Sequence, residues 1–277
     1  LSVRAERVDQ GYRMRFPVGE DRPTGRQVHT DLFPSLNINY FLHPNSVLHG
    51  SYFRSVNRPG FFEIVPYTIV NEEYVERGNP DLKESLTDNW DLRYTSHSGT
   101  DDQVTAGFFY KYIHNAIEYS LQPDSIRGQD LYDTPDNFGN ATNLGAEASI
   151  THYFHKVGVK ANYTYTYSRI TTSKSKRSRD ENDNLKTISV SETRPLFDQP
   201  SHIANLALLY SDAATGSEAQ LVGAYSSRRI YTVSQFAGDD IWQRSSMQLD
   251  ASVEKRIRSG WSVFAKVRNI LNTPMVL

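Results

Sequence analysis

The side chains that could carry catalysis are scattered along this chain rather than grouped. Histidine, the commonest general base, stands at predicted strand ends and turns, as at His43 and His97, and nothing pairs it with a nucleophile. His152 and His155 are three residues apart, which places them on opposite faces of a strand and argues against a shared metal ion. Cysteine is absent, which excludes thiol catalysis, disulfides and zinc–thiolate sites. We therefore predict no enzyme activity, no metal centre and no cofactor.

Two polar segments could bind ions or charged partners. The segment 127–140 (RGQDLYDTPDNFGN) is rich in the oxygen ligands that suit Ca²⁺, but it lacks the EF-hand spacing, which favours a solvated loop. The run 174–184 (KSKRSRDENDN) is basic and then acidic, as in an exposed loop tip. Its alternative role is docking to lipopolysaccharide phosphates or to a partner protein.

Aromatic residues in long connections are better candidates for recognition. Residues 58–85 (RPGFFEIVPYTIVNEEYVERGNPDLKES) lie between two predicted strands, although a hairpin needs only about two to five residues. Exposed aromatic side chains there could bind a large ligand by stacking and apolar contact, or could pack the loops against each other. The predicted ligand-contacting residues are Phe61, Phe62, Tyr67, Tyr74, Tyr231 and Trp242.

The composition excludes other classes of protein. The 277 residues carry a formal charge of -2, and the 30 Lys and Arg residues are dispersed, which gives no sign of a nucleic-acid partner. No run of about 18 apolar residues predicts a transmembrane helix. No signal peptide precedes the strand-like opening LSVRAERV. The expectation is a cytoplasmic protein or a piece of a longer polypeptide.

Alternation of apolar and polar residues predicts an all-β fold. In residues 157–168 (VGVKANYTYTYS), Val, Ala and Tyr occupy one face, and Gly, Lys, Asn, Thr and Ser occupy the other. The same period recurs along the chain. Eleven strands are predicted, at residues 1–8, 31–42, 47–57, 85–97, 103–118, 142–154, 157–169, 202–212, 217–231, 245–257 and 261–271.

The connections between these strands alternate between short and long. The long ones are roughly 9–30, 58–84, 119–141, 170–201 and 232–244, so an up-and-down meander has all its long loops at one end. That asymmetry is typical of an outer-membrane β-barrel, with apolar side chains toward lipid and polar ones toward the lumen. Aromatic residues beside the short turns, such as Tyr94 and Trp261, would form an interfacial girdle. A soluble β-sandwich lacks this rhythm, and a propeller needs a sequence repeat that is not found.

Two motifs give the pattern a family resemblance. The long aromatic loop opens with Arg58-Pro59 and closes with GNPDL (78–82), and VRNILN (267–272) lies near the end of the chain. This arrangement resembles the C-terminal part of the barrel of TonB-dependent outer-membrane receptors, most closely those common in Bacteroidetes. Glu84 and Ser85 stand where that family usually has Pro and Glu.

The resemblance implies a 22-stranded barrel in a Gram-negative outer membrane, of which residues 1–277 form a partial barrel domain, strands 11 to 21. It implies an N-terminal plug and a final strand that are absent here, and a TonB–ExbB–ExbD complex that supplies energy. Outer-membrane lipid and a surface lipoprotein are further expected partners. The expected function is active import of a siderophore, cobalamin, glycan or peptide. The alternatives are a plug-less porin, a secretion or assembly barrel, and a soluble β-sandwich binding module.

Overall fold

Most of the chain lies in one long antiparallel sheet. The computed structural model describes residues 1–16, 22–70, 72, 75–99, 102–123, 131–179, 183–258, 260–274 and 276. No helix in these ranges is long and apolar enough to cross a membrane. In chain order the elements are β1 Ser2–Arg13, β2 Thr24–His43, β3 Ser46–Asn57, α1 Phe61–Ile64, β4 Thr68–Val70, β5 Val75–Arg77, β6 Ser85–Ser98, β7 Asp102–His114, β8 Ile117–Pro123, β9 Leu131–Asn137, β10 Ala141–Phe154, β11 Val157–Arg179, β12 Leu185–Arg194, β13 His202–Asp212, β14 Ser217–Ser226, β15 Arg229–Ser234, β16 Ile241–Gln243, β17 Ser246–Arg258 and β18 Trp261–Val267.

The barrel sheet follows the predicted meander. Its strand order is β1-β2-β3-β6-β7-β10-β11-β13-β14-β17-β18, and β12 pairs with β11 as a twelfth strand. All its pairs are antiparallel, and each of the eleven predicted strands corresponds to one strand of the main path. The prediction of an antiparallel up-and-down β-barrel segment is therefore confirmed, and the β-sandwich alternative is excluded.

The two faces of the barrel sheet differ as the alternation predicts. On β11, Tyr163, Tyr165 and Tyr167 are exposed, whereas Thr166 and Ser168 on the opposite face are buried. The polar face is buried at the end of the sheet that carries the long connections. There the Leu196 N–H donates to Ser168 Oγ at 3.1 Å. The long connections therefore fold against the polar face and leave the apolar face uncovered.

Aromatic rings cover glycines on the polar face. Tyr12 lies opposite Gly25, Phe109 opposite Gly145, and Tyr153 opposite Gly158 in the strand registers. In each pair a Cβ added to the glycine would lie less than 3.0 Å from ring atoms of the aromatic partner. Such pairs fix the register, because a shift by one residue would remove the space in which the ring lies.

Three of the long connections join in a second sheet, which we call the loop sheet. It contains β4 and β5 from the connection between β3 and β6, β8 and β9 from the one between β7 and β10, and β15 and β16 from the one between β14 and β17. The strand order is β16-β15-β8-β9-β5-β4. Parallel contacts of β15 with β8 and of β5 with β9 join neighbouring connections. The long connections are thus held together by main-chain hydrogen bonds rather than lying separately in solvent.

The predicted boundaries are wrong at the loop end of the barrel sheet. The prediction of a loop over 9–30 is too long, because β1 and β2 remain paired through Arg13 and Thr24. The predicted loop 170–201 is mostly the β11–β12 hairpin. Conversely, the predicted strands 103–118, 217–231 and 261–271 end earlier, at His114, Ser226 and Val267. At this end of the sheet the residues no longer alternate between apolar and polar. The strands can continue all the same, because main-chain hydrogen bonding needs only a neighbouring strand.

The GNP turn brings its backbone unusually close to α1. A Cβ added to Gly78 would lie 2.1 Å from the Val65 carbonyl oxygen and 2.9 Å from that of Phe62. The next residue, Asn79, donates its backbone N–H to the Glu63 carbonyl at 2.6 Å. Its side-chain Nδ2 donates to the Pro135 carbonyl at 3.1 Å. Gly78 is therefore required for close approach of backbone to backbone.

Substituting Gly78→Ala should detach α1 from the turn. Two main-chain oxygens cannot move aside as a flexible side chain can, so we expect a loss of roughly 2–3 kcal/mol in the local stability of this connection. Amide hydrogen exchange over residues 61–70 measures it. Gly60→Ala is the matched control, since its nearest atom is Glu63 Oε2 at 3.5 Å. Equal exchange in the two variants would contradict the prediction.

Candidate functional site

The first group of predicted aromatic residues lies together on α1 and just beyond it. Phe61 and Phe62 are 58% and 71% exposed. Their ring centroids are 5.8 Å apart, and the Phe62 ring lies 6.0 Å from that of the half-buried Tyr67 in an edge-on arrangement. The Gly60 N–H donates to Glu63 Oε2 at 2.6 Å, which caps this short helix. The result is an exposed aromatic surface on an ordered turn.

A small apolar core holds this aromatic surface in place. Ile64 and Val65 are buried with Leu82, which follows the GNP turn, and with Tyr12 of β1. Leu82 has no exposed surface. The inner side of α1 is therefore anchored to the barrel sheet, so the two Phe rings are held outward rather than free to collapse.

The second predicted group lies on β15 and β16, at one edge of the loop sheet. Tyr231 on β15 is 47% exposed, while its neighbour Ile230 is fully buried and fixes the strand. The guanidinium carbon of Arg228 lies over the ring of Trp242 on β16, 4.9 Å from the ring centroid. In the strand order of the loop sheet, β15 and β16 lie at the opposite end from β4 and β5, the strands that follow α1 in the chain. Tyr74 lies outside the described residues.

Acidic side chains line the loop sheet beside α1. Glu63 Oε1 accepts a hydrogen bond from Tyr119 Oη at 2.9 Å, which links α1 to β8. Asp133 and Glu76 lie opposite each other in the parallel β5–β9 pair. Burial, and then the charge of Glu76, raise the pKa of Asp133 to about 6.

The raised pKa of Asp133 predicts that the stability of the loop sheet depends on pH. Because the folded pKa is above the usual 3.8, this group favours the folded loop sheet below about pH 4 and loses that contribution as the pH rises to about 6. Two pKa units correspond to about 3 kcal/mol at most. Asp133→Asn should therefore flatten the pH dependence of amide protection in β8 and β9, compared between pH 4 and 7. An unchanged slope would contradict the assignment.

A buried ionic network, which no sequence motif predicts, joins the loops. Arg194 of β12 donates from Nη2 to Glu118 Oε2 of β8 at 2.6 Å, and these side chains are 3% and 5% exposed. Lys174 of β11 lies 2.6 Å from Asp240, which precedes β16; these are also 3% and 5% exposed. The segment 174–184, predicted to be an exposed loop tip, therefore begins with a buried lysine that connects two loops.

A second network fixes both ends of the connection that carries α1. Arg58 donates from Nη1 to Glu6 at 2.9 Å and from Nη2 to Asp31 at 2.8 Å, and its Nε lies 3.3 Å from Glu84 Oε2. Burial and the adjacent Asp31 raise the pKa of Glu84. His29 Nδ1 lies 3.2 Å from Glu84 Oε1. Arg58 of the RP motif and Glu84 after GNPDL thus lie next to each other, in contact with side chains of β1 and β2.

Within the described ranges, no group of three or more His, Asp and Glu side chains is arranged to hold a metal ion.

The comparisons with known proteins agree with this architecture. Residues 3–275 match the family model described as outer membrane protein beta-barrel family. The chain therefore belongs to this family, and the protein is a β-barrel of a Gram-negative outer membrane. In barrels of this kind the apolar face is directed toward lipid and the long connections are extracellular. No curated protein matches the sequence.

Three solved structures show the same fold. A mutant ferric enterobactin receptor (PfeA) from Pseudomonas aeruginosa aligns at TM-score 0.59 and 16% identity, over 90% of this chain and 36% of that one. The siderophore receptor PirA from Acinetobacter baumannii aligns at 0.59 and 15%, over 90% and 38%. The copper transporter OprC aligns at 0.65 and 14%, over 99% and 39%. This chain spans less than two-fifths of each, and the predicted resemblance to TonB-dependent receptor barrels is confirmed for the fold.

Proposed function

We propose that this chain is part of an active importer that captures a large ligand on its extracellular loops. Siderophores and other metal chelates are the first candidates, since the structural relatives include siderophore receptors and a copper transporter. Cobalamin, glycans and peptides remain within the proposal. Energy would come from TonB, ExbB and ExbD acting on a plug. The protein would have no enzymatic activity.

The observation that carries this proposal is the loop sheet. Three connections are joined by parallel strand contacts, a buried ion pair attaches the β11–β12 hairpin to them, and Phe61 and Phe62 are exposed beside this sheet. A passive pore needs no such ordered aromatic surface above its mouth. Ligand capture does, because rigid rings bind with little loss of conformational entropy.

The test uses the whole protein in its natural outer membrane. Cells that carry it should accumulate a radio-iron-labelled siderophore, or else labelled cobalamin, glycan or peptide, and uptake should stop when TonB is deleted or the proton-motive force is dissipated. Phe61→Ala/Phe62→Ala should weaken binding of the accumulated ligand about tenfold or more. Phe41→Ala, an exposed Phe near a short turn, is the control and should bind normally.

Two results would favour the alternatives. A steady ion conductance in planar bilayers, with no uptake that depends on TonB, would indicate a plug-less porin. Co-purification with stable protein partners, again without uptake, would indicate a secretion or assembly barrel.

A further inference from the structure

A charged cluster lies on the lipid-facing side of the barrel sheet. Arg54 of β3 and Asp88 of β6 are paired across the strands, two residues beyond the aromatic pair Tyr52 and Trp90 on the same face. Arg54 donates from Nε to Asp88 Oδ1 at 2.9 Å and from Nη2 to Oδ2 at 3.0 Å. His114 of β7 lies 3.2 Å from Asp88 Oδ2. A charged group on this face is costly unless it meets polar groups of the membrane.

The cluster retains capacity to bind an anion. Asp88 accepts from two of the five N–H donors of Arg54, so donors of the planar fork remain for a further acceptor. The Asp88 side chain is only 9% exposed, whereas those of Arg54 and His114 are 34% and 40% exposed. Asp88 also accepts from Tyr52 Oη at 2.8 Å. Asp88 therefore acts as a positioning residue that holds the guanidinium toward the exterior.

An apolar groove lies directly below this cluster. Its volume is about 420 Å³, and its walls include Ile38, Tyr52, Trp90 and Tyr110. Gly50 forms its floor, since no atom lies within 4 Å of a Cβ added there. The ring centroids of Trp90 and Tyr110 are 5.4 Å apart. Charged donors above an aromatic-walled groove match an amphiphile, with the head group above and an acyl chain below.

The height of the cluster agrees with the position of lipid head groups. Ten residues of β6 separate Asp88 from Ser98 at the short-turn end. At about 3.3 Å per residue and a strand tilt of about 40°, this corresponds to roughly 25 Å, the height of the apolar band of such barrels. The cluster therefore lies at the extracellular boundary of the membrane, and the groove lies within the outer leaflet.

We propose that Arg54, His114 and the groove floored by Gly50 bind a phosphate-bearing acylated lipid of the outer leaflet. The phosphate would accept from the Arg54 fork, whose geometry suits phosphate. An acyl chain would lie over Gly50 between the aromatic walls. This site is on the outside of the barrel, so it is independent of the proposed ligand import.

The test measures lipid retention by the whole protein purified from outer membranes. Two probes with the same photoreactive acyl chains are compared, phosphatidylglycerol and uncharged diacylglycerol, with lipid A as a third. Gly50→Phe should fill the groove and lower cross-linking of phosphatidylglycerol and lipid A about tenfold. Arg54→Gln/Asp88→Asn removes both charges together and should lower phosphate-lipid cross-linking to the diacylglycerol level.

Gly223→Phe is the matched control. It places the same ring at another lipid-facing glycine with room for a side chain, away from the charged cluster, and it should retain normal cross-linking. A heat-modifiable electrophoretic mobility equal to that of the unsubstituted protein shows that each variant is folded. Normal cross-linking in Gly50→Phe, equal labelling by both glycerolipids, or a lipid-free dimer that covers the groove would each overturn the proposal.

Discussion

Replacing Arg194 by Met will separate the β11–β12 hairpin from the loop sheet while the barrel strands remain paired. Arg194 is the cation of a buried pair with Glu118, and its guanidinium also lies 6.0 Å from the centre of the Phe138 ring. Without it, the Phe197 N–H, at 2.8 Å, is the donor that Glu118 keeps among the described residues, and its charge remains buried. Breaking a buried ion pair by removing one partner costs about 3–5 kcal/mol.

The double variant Arg194→Met/Glu118→Gln tests whether the effect arises from the unpaired charge. Gln keeps an acceptor for the Phe197 N–H and carries no charge, so most of the lost stability should return. Buried pairs replaced by uncharged groups of similar volume are often neutral in their effect on stability. A defect that persists in the double variant would indicate that packing of Arg194, rather than charge, holds the loops.

Amide hydrogen exchange in residues 117–121 and 186–194 measures this separation. Arg179→Met is the control on the same hairpin, because Arg179 and Asp183 form an exposed i,i+4 pair at 3.0 Å. Such surface pairs contribute about 0–1 kcal/mol. Faster exchange is therefore expected only in Arg194→Met, and similar exchange in the two single variants would contradict the role of the network.

The sequence predicts the barrel strands better than the loops for a physical reason. A lipid-facing strand must alternate apolar and polar residues, so each of the eleven strands can be recognised from its own residues. Beyond the apolar band this constraint ends. In the segment SRITTSKSKRSR (168–179) both faces become polar, yet β11 continues, because Leu185–Arg194 is available to pair with it. The loop-sheet strands are shorter still, and the contacts that join them into one sheet, β15 with β8 and β5 with β9, are made between different connections.

The candidate site shows the same limit. The exposure of Phe61 and Phe62 agrees with the prediction of a recognition loop, and their role as ligand contacts stays a prediction. The sequence could not show that Tyr231 and Trp242 lie on two paired strands at the edge of the loop sheet. Nor could it show that Lys174 meets Asp240, 66 residues later. Ion pairs of this separation depend on the register of β11 and on the path of another loop, and neither leaves a local signal.

Replacing Arg58 by Ala will release the connection that carries α1 and the two exposed Phe rings. Arg58 is 18% exposed and contacts three carboxylates, those of Glu6, Asp31 and Glu84. Without the guanidinium, Asp31 and Glu84 would be adjacent carboxylates whose side chains are only 8% and 13% exposed. We expect a local loss of about 3–5 kcal/mol, as for other buried ion pairs that lose one partner. Arg58→Lys should recover only part of it, since an ammonium group cannot reproduce the planar fork.

Protease cleavage and amide exchange in residues 60–82 measure this release. Ligand binding should weaken in parallel. Arg4→Ala is the control: Arg4 lies 3.2 Å from the same Glu6, but its side chain is 68% exposed. Arg58→Ala/Glu84→Gln removes one of the repelling charges and should restore part of the protection. If Arg58→Ala exchanges no faster than Arg4→Ala, the apolar contacts of Leu82, Ile64 and Val65 suffice to hold the loop, and Arg58 has another role.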